Sequence, residues 1–205
     1  MVKNRFKFIT VKTMDTDVVV LLTSFMPDFI SYHASIQIDF NFGKHRKCFN
    51  INRVAKGLGF NKCFVLRFFY AFTGCDYNSF FFGYSKRKLF AVWLEKLPEL
   101  TFTFSELSCM PDSLSSESMN ACEEFLMAAY DNAQMFGNCG LNNLRFHLFN
   151  SSSINDLRRL PPTLNALKLH VLRAAYIAGW VWGSCLQKGS VVPSVWYQLG
   201  PQLQF

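Results

Sequence analysis

The segment from Ser35 to Phe42 constrains the fold most strongly, because its side chains alternate strictly between polar and apolar. Successive residues of a β-strand point to opposite faces of the sheet, so this alternation indicates a strand with one buried face. A polar, glycine-containing segment follows at 43–47, and the alternation resumes from Cys48 to Ile51. The pattern predicts a β-hairpin, so part of the core must be built on a sheet.

Strand and helix signals continue on both sides of this hairpin. The alternating segment from Phe6 to Val11 indicates a strand that ends at an acidic turn. The largely apolar run from Val18 to Phe25 is either a buried strand or a helix packed on the sheet. Capping and terminating residues predict further helices over 53–58 (cap Asn52, end Gly59), 62–72 (end Gly74), 86–96 (cap Ser85, end Pro98), 117–136 (end Gly137) and 164–186 (cap Thr163).

Composition places the chain among packed globular proteins, because half of its 205 residues are hydrophobic and 17% are charged. We predict an α/β fold with a core over residues 1–100 and a helical extension over 101–205. The seven cysteines are widely spaced and form no Cys-x-x-Cys pair, which is typical of a reduced, intracellular protein. No apolar run is long enough to cross a bilayer, so we expect no membrane association.

An acidic pair, Asp15 and Asp17, stands directly before an apolar run, and Asp76 follows Gly74 later in the chain. Side chains two residues apart on an extended strand share one face, so the pair can point into one crevice at the edge of a sheet. Mg²⁺ favours one or two carboxylates together with waters and phosphate oxygens, which makes such a pair a candidate metal site. A solvated turn or a helix cap is the alternative interpretation.

A glycine at 83 and the basic run Lys86, Arg87 and Lys88 surround the predicted cap Ser85. Backbone N–H groups at the start of a helix lack partners within the helix, so they can bind a phosphate with help from neighbouring lysines. The alternative is an ordinary capped helix on a solvated loop. The net charge of +7 favours an anionic partner but does not locate its site.

The order of these motifs resembles the PIN-like, flap-endonuclease-related fold. More narrowly, it resembles PIN-like segments in mobile-element or virus-derived open reading frames of animal genomes. The resemblance is carried by Asp15–Val18, by Ala71–Asp76 (Ala-Phe-Thr-Gly-Cys-Asp), by Phe81–Lys88 and by Leu160–Thr163 (Leu-Pro-Pro-Thr). It covers roughly residues 6 to 192, and the Thr-Gly-Cys-Asp segment is its most specific part.

The resemblance implies a partial PIN-like, Rossmann-like core with a helix-turn-helix, and hydrolysis of DNA phosphodiesters by metal-activated water as the ancestral reaction. In that family, acidic residues at the positions of Asp15, Asp17 and Asp76 hold divalent ions, Mg²⁺ or Mn²⁺, and are catalytic. The family's glycine-lysine segment grips a DNA backbone. Here that grip corresponds to Gly83, Ser85, Lys86, Arg87 and Lys88.

Three departures from the family pattern predict an inactive protein. The family's terminal Trp-containing segment is degraded here to Val195–Leu199. None of the fourteen residues before Asp15 is acidic, whereas the family carries its first acidic strand upstream of that position. Ser85 replaces the second glycine of the grip. We therefore expect a divergent, truncated and inactive nuclease-like protein with DNA as its ancestral partner, and an intracellular location with the nucleus as one option. The alternatives are a non-catalytic nucleic-acid-binding module and a structural or interaction remnant of a mobile element.

Overall fold

The structure, a computed structural model, describes residues 7–29, 34–42, 45–109, 113–130, 139–151 and 156–183. Within these ranges the chain is an α/β protein, mostly helical, with one three-stranded mixed sheet. Its packing divides the chain into two compact units, Met1–Arg67 and Phe68–Phe205. The sequence predicts a division at residue 100, between a nuclease-like core and a helical extension. These two packing units do not test that division.

The first unit contains the sheet, whose strands are β1 (Phe8–Thr13), β2 (Ser35–Phe42) and β3 (His45–Asn50). β2 and β3 pair antiparallel, with Gln37 opposite Asn50 and Phe42 opposite His45, which confirms the predicted hairpin. β1 pairs with β2 in parallel, with Phe8 opposite Ser35. Two parallel neighbours need a crossover connection, so the segment between β1 and β2 cannot be a tight turn.

That connection carries α1 (Thr16–Ser24) and α2 (Met26–Phe29). The run from Val18 to Phe25, which the sequence left open, is therefore helical as far as Ser24, and Phe25 is the C-cap of α1. α3 (Ile51–Leu58) follows the hairpin, and α4 (Phe60–Phe72) begins in this unit. Gly59 ends α3 at φ 86°, as predicted, because a glycine pays no steric penalty at a positive φ.

The core of the first unit lies between the sheet and its helices. Ile36 and Ile38 of β2 are buried together with Ile51 and Ala55 of α3. Half-buried apolar side chains from β1 and α1, including Ile9 and Leu22, pack against them. The alternating pattern of β2 is thus explained, because its isoleucines face this core.

The cap of α3 corrects one prediction. Asn50, and not Asn52, is the N-cap, and its side chain accepts a hydrogen bond from the backbone N–H of Arg53 at 3.0 Å. The Asn52 amide instead accepts from the Ile36 N–H at 2.9 Å and donates to the Ala34 carbonyl at 2.8 Å. Asn52 is therefore used to satisfy backbone groups at the start of β2.

Helices are the main elements of the second unit over its described residues. It contains the end of α4, then α5 (Lys86–Ala91) with a π-helical turn at Val92–Lys96, α6 (Leu100–Ser108), α7 (Ser116–Tyr130), α8 (Leu141–Asn150), a 3₁₀ turn (Leu157–Arg159) and α9 (Leu164–Tyr176) with a π-helical turn at Ile177–Val181. The predicted caps Ser85 and Thr163 are confirmed, since each accepts a bond from the third residue after it. Residues 131–136 and 184–186 of the predicted helices lie outside the described residues, as does the tail from 189.

Aromatic side chains form the core of this unit. Phe68 and Phe72 of α4 stack at 5.4 Å between ring centroids, and Phe69 stacks on Trp93 at 4.9 Å. Phe104 of α6 and Phe125 of α7 are fully buried against the same cluster. Part of the unusually high phenylalanine content, 23 residues, therefore serves packing.

Candidate nucleic-acid interface

Asp15 and Asp17 do not share one face of an extended strand, and this part of the prediction is wrong. Asp15 has extended backbone angles and is the N-cap of α1, while Asp17 lies in the first helical turn. The Asp15 carboxylate accepts a hydrogen bond from the Asp17 N–H at 2.8 Å. Both negative charges stand at the positive end of the helix dipole, which stabilises α1. The helix-cap interpretation is thus the one that the local structure shows.

Asp76 lies at the tip of a tight turn after α4. Cys75 and Asn78 exchange two backbone hydrogen bonds of 3.1 Å, which leaves Asp76 and Tyr77 exposed between them. Gly74 adopts φ 110°, as expected for the residue that reverses the chain here. The Thr-Gly-Cys-Asp segment therefore leads from the end of α4 into a hydrogen-bonded turn.

A metal site needs these carboxylates to act together. Asp15 and Asp17 belong to the first unit and Asp76 to the second. Over the described ranges, no group of three or more His, Cys, Asp and Glu side chains is arranged so that it could hold a metal ion. The described residues thus offer Mg²⁺ or Mn²⁺ no such ligand set, and we derive no catalytic step through a metal. The catalytic trio stays a prediction from the resemblance alone.

Lys86 serves the fold of the second unit. Its ammonium donates to the Tyr70 carbonyl at 3.1 Å, to the Thr73 hydroxyl at 3.2 Å and to the Gly74 carbonyl. It also lies 3.7 Å from the centroid of the Tyr70 ring. A lysine ammonium has three N–H donors, so these contacts use its donor capacity at the carboxyl end of α4, where a positive charge is stabilising. We therefore leave Lys86 out of the proposed grip.

The predicted phosphate cradle at Gly83 and Ser85 also differs from the expectation. The Ser85 hydroxyl accepts from the Lys88 N–H at 3.2 Å, which occupies one of the backbone donors meant for a phosphate. The α-helical part of α5 is six residues long, so its dipole is small. Arg87 is exposed in its first turn. Any binding at this segment must therefore depend on side-chain charge more than on the helix end.

Three cations instead contact three consecutive residues of the loop before α5. The Arg158 guanidinium carbon lies 4.3 Å from the Phe82 ring centroid, and Lys88 Nζ lies 4.5 Å from the Tyr84 ring centroid. Between them, Arg159 crosses Gly83 so closely that a Cβ added there would be 3.3 Å from Arg159 Nε. We call Lys88, Arg158 and Arg159 the basic face.

Nearby charges affect the pKa values of two packed tyrosines, Tyr84 and Tyr130. Burial raises the pKa of the Tyr84 hydroxyl, and nearby Arg159 opposes this rise. Burial raises the pKa of Tyr130 as well, with Tyr84 adding to the rise and Arg145 opposing it. The Tyr84 and Tyr130 rings lie 4.2 Å apart. Tyr84 thus packs between Lys88 of the basic face and Tyr130, whose hydroxyl is in turn influenced by the charge of Arg145.

Asp156 is a carboxylate at the border of the basic face. It forms a salt bridge with Arg158 at 2.8 Å, and the Arg158 side chain remains 71% exposed. The hydrogen bond from Arg158 lowers the pKa of Asp156 below its usual range. The carboxylate holds the arginine in place and cancels part of its charge.

Sequence reasoning missed Arg158 and Arg159. Their signal in the sequence is a pair of adjacent arginines directly before the Leu-Pro-Pro-Thr segment. A pair is a weak pattern by itself, since adjacent charges are commonly solvated. The pair becomes significant only in the fold, where Arg158 lies over the Phe82 ring and Arg159 lies against Gly83.

His170 of α9 has both ring nitrogens hydrogen-bonded. Nε2 donates to the Phe72 carbonyl at 2.7 Å, so Nδ1 accepts from the Ser79 hydroxyl at 3.2 Å. Burial lowers the pKa of this imidazole, which keeps it neutral. His170 therefore ties α9 to the connection that follows α4.

No family model, no curated protein and no solved structure matches this chain. Within the part of the chain that the structure describes, none of the helices has the length and apolar character needed to cross a membrane.

Proposed function

We propose that this chain is a non-catalytic nucleic-acid-binding protein, a divergent and inactive relative of PIN-like nucleases that binds the phosphate backbone. The observation that supports the proposal is the basic face. Three exposed or half-exposed cations from two distant segments meet on three consecutive loop residues, Phe82, Gly83 and Tyr84. Closely spaced Lys and Arg side chains attract phosphates without reading sequence.

The geometry at Gly83 explains why the cations can converge. A side chain at this position would press on Arg159 at 3.3 Å, and the backbone φ of 84° is strained for any residue with a Cβ. Glycine therefore allows the Arg159 side chain to lie on the loop. The family resemblance assigned this glycine to a direct backbone contact with phosphate, whereas here it provides space for an arginine.

Binding to duplex DNA, measured against salt concentration, tests this proposal. We expect the affinity to fall as salt rises, and the double variant Arg158→Gln/Arg159→Gln to flatten the slope by about 0.9 for each phosphate contact that it removes. Lys168→Gln is the matched control, because Lys168 is an exposed cation on α9 of the same unit. A double variant that keeps the wild-type slope would contradict the role of the basic face.

The non-catalytic part of the proposal needs a separate test. The chain should leave DNA intact in both Mg²⁺ and Mn²⁺. If cutting is observed and is lost in Asp15→Ala or Asp76→Ala, the three-carboxylate site predicted from the resemblance exists, and the protein is a nuclease.

A further inference from the structure

An open cavity of about 320 Å³ lies between α8 and the segment at 157–160. It is lined by Asn142, Arg145, Phe146, Phe149, Leu157 and Leu160. Three of its apolar side chains are unusually exposed: Phe146 at 63%, Phe149 at 59% and Leu157 at 64%. Clustered exposed apolar side chains around a concave site mark binding surfaces, and this volume falls in the range of small-ligand sites.

Two polar groups of the cavity wall are held in place. The Arg145 guanidinium donates through Nη1 to the Pro161 carbonyl, and the Asn142 side-chain oxygen accepts from the Leu164 N–H at 2.9 Å. Both residues therefore present N–H donors from fixed positions beside the phenylalanine rings. A flat aromatic ligand with hydrogen-bond acceptors on its edge fits this combination.

The cavity wall adjoins the basic face along the chain. Leu157 lines the cavity, and Arg158 and Arg159 are the next two residues of the same 3₁₀ turn. The cavity wall therefore has two cations, one and two residues further along the chain from Leu157. The complementary ligand is aromatic and flanked by negative charges, which describes a nucleotide within a strand.

We propose that this cavity takes an unpaired base of a single-stranded nucleic acid, with the neighbouring phosphates on Arg158 and Arg159. The inference rests on the proposed function and adds the strand form to it. In a duplex the bases are stacked inside and their faces are covered, so they cannot stack on Phe146 or Phe149. In a single strand the faces are available to aromatic side chains.

The test compares binding of three fluorescent probes: a short oligo-dT, a short oligo-rU and a DNA duplex. The variant is Phe146→Ala/Phe149→Ala, and the matched control is Phe102→Ala, because Phe102 is 74% exposed on α6 outside the cavity. We expect the double variant to lose at least about fivefold in affinity for one or both single strands. Its duplex affinity and the single-strand affinity of the control should stay at the wild-type value.

The alternative outcomes contradict either the base site or the proposed function. If the double variant binds single strands as tightly as wild type, or if it loses duplex affinity equally, the cavity is not a base site, while backbone binding stands. If no probe binds at all, the proposed function fails together with the inference. The oligo-dT and oligo-rU arms show whether DNA or RNA supplies the strand, and intact circular dichroism confirms that the variant is folded.

Discussion

Replacing Gly74 with alanine should destabilise the second unit severely. Gly74 has φ 110°, and a Cβ added there would lie 2.5 Å from Phe80 Cβ and 2.7 Å from Phe80 Cα. Real Cβ atoms do not approach other carbons this closely, and the Phe80 backbone cannot move aside as the end of a long side chain would. The variant therefore suffers two separate penalties, a strained dihedral angle and a backbone clash.

The two penalties can be estimated separately. A non-glycine residue in a sparsely populated backbone region costs about 1–3 kcal/mol. Forcing extra atoms into a packed site typically costs about 1–3 kcal/mol more. The expected loss is roughly 2–6 kcal/mol in the free energy of unfolding, against a typical total of about 5–15 kcal/mol. The variant is therefore close to the limit of folding.

Gly140→Ala is the matched control. Gly140 lies in the same unit at φ 78°, but its added Cβ would meet the nearest atom, Glu123 Oε1, at an ordinary 3.6 Å. This variant should suffer the dihedral strain of about 1–3 kcal/mol without the clash. The difference between the two variants thus isolates the close approach to Phe80.

Urea unfolding followed by tryptophan fluorescence is the appropriate assay. All four tryptophans belong to the second unit, so this signal reports the unit that contains Gly74. Equal midpoints for Gly74→Ala and Gly140→Ala would refute the clash at Phe80. We also expect Gly74→Ala to weaken DNA binding, because the displaced segment leads to the loop that carries the basic face.

Three further predictions test single side chains. Because burial lowers the folded-state pKa of His170 below 6.5, the unfolded chain takes up the proton first, and the free energy of unfolding should fall as pH drops below that value. Urea titrations between about pH 5 and pH 8 should show this pH dependence in the wild type and lose it in His170→Gln. Asp15→Ala should lower the free energy of unfolding of the first unit by about 0.5–2 kcal/mol, because α1 loses its cap, and Asp15→Asn should stay closer to wild type. Unchanged hydrogen exchange of the α1 amides in Asp15→Ala would contradict the capping role. Asp156→Asn removes the carboxylate that opposes Arg158, so DNA should bind more tightly with a steeper salt dependence, and weaker binding would show that positioning of the arginine matters more than its net charge.

Much of the secondary structure could be predicted because its signals are local. The hairpin follows from side-chain alternation, the starts of α5 and α9 follow from Ser85 and Thr163, and the turn at Gly74 follows from a glycine after an apolar helix. Each depends on residues a few positions apart, whose geometry is set by the backbone itself.

One helix, α6, was not predicted, and the cap of α3 was predicted at the wrong residue. α6 was not predicted, since its Leu-Thr-Phe-Thr-Phe start reads equally well as a strand, and it is helical because Leu100, Phe104 and Leu107 are buried on one face. The cap of α3 shifted from Asn52 to Asn50 because β2 takes the Asn52 amide. In both cases packing partners elsewhere in the chain decide between local options that are close in energy.

The sequence by itself determined where the cations are and which loops glycine allows, because charge and conformational freedom are properties of single residues. Which of these cations are available to a partner was decided by tertiary structure. Lys86 is held at the end of α4, while Arg158 and Arg159 lie against the loop at 82–84. The physical reason is that a side chain's partners are set by proximity in space, and the contacts that matter here join segments far apart along the chain.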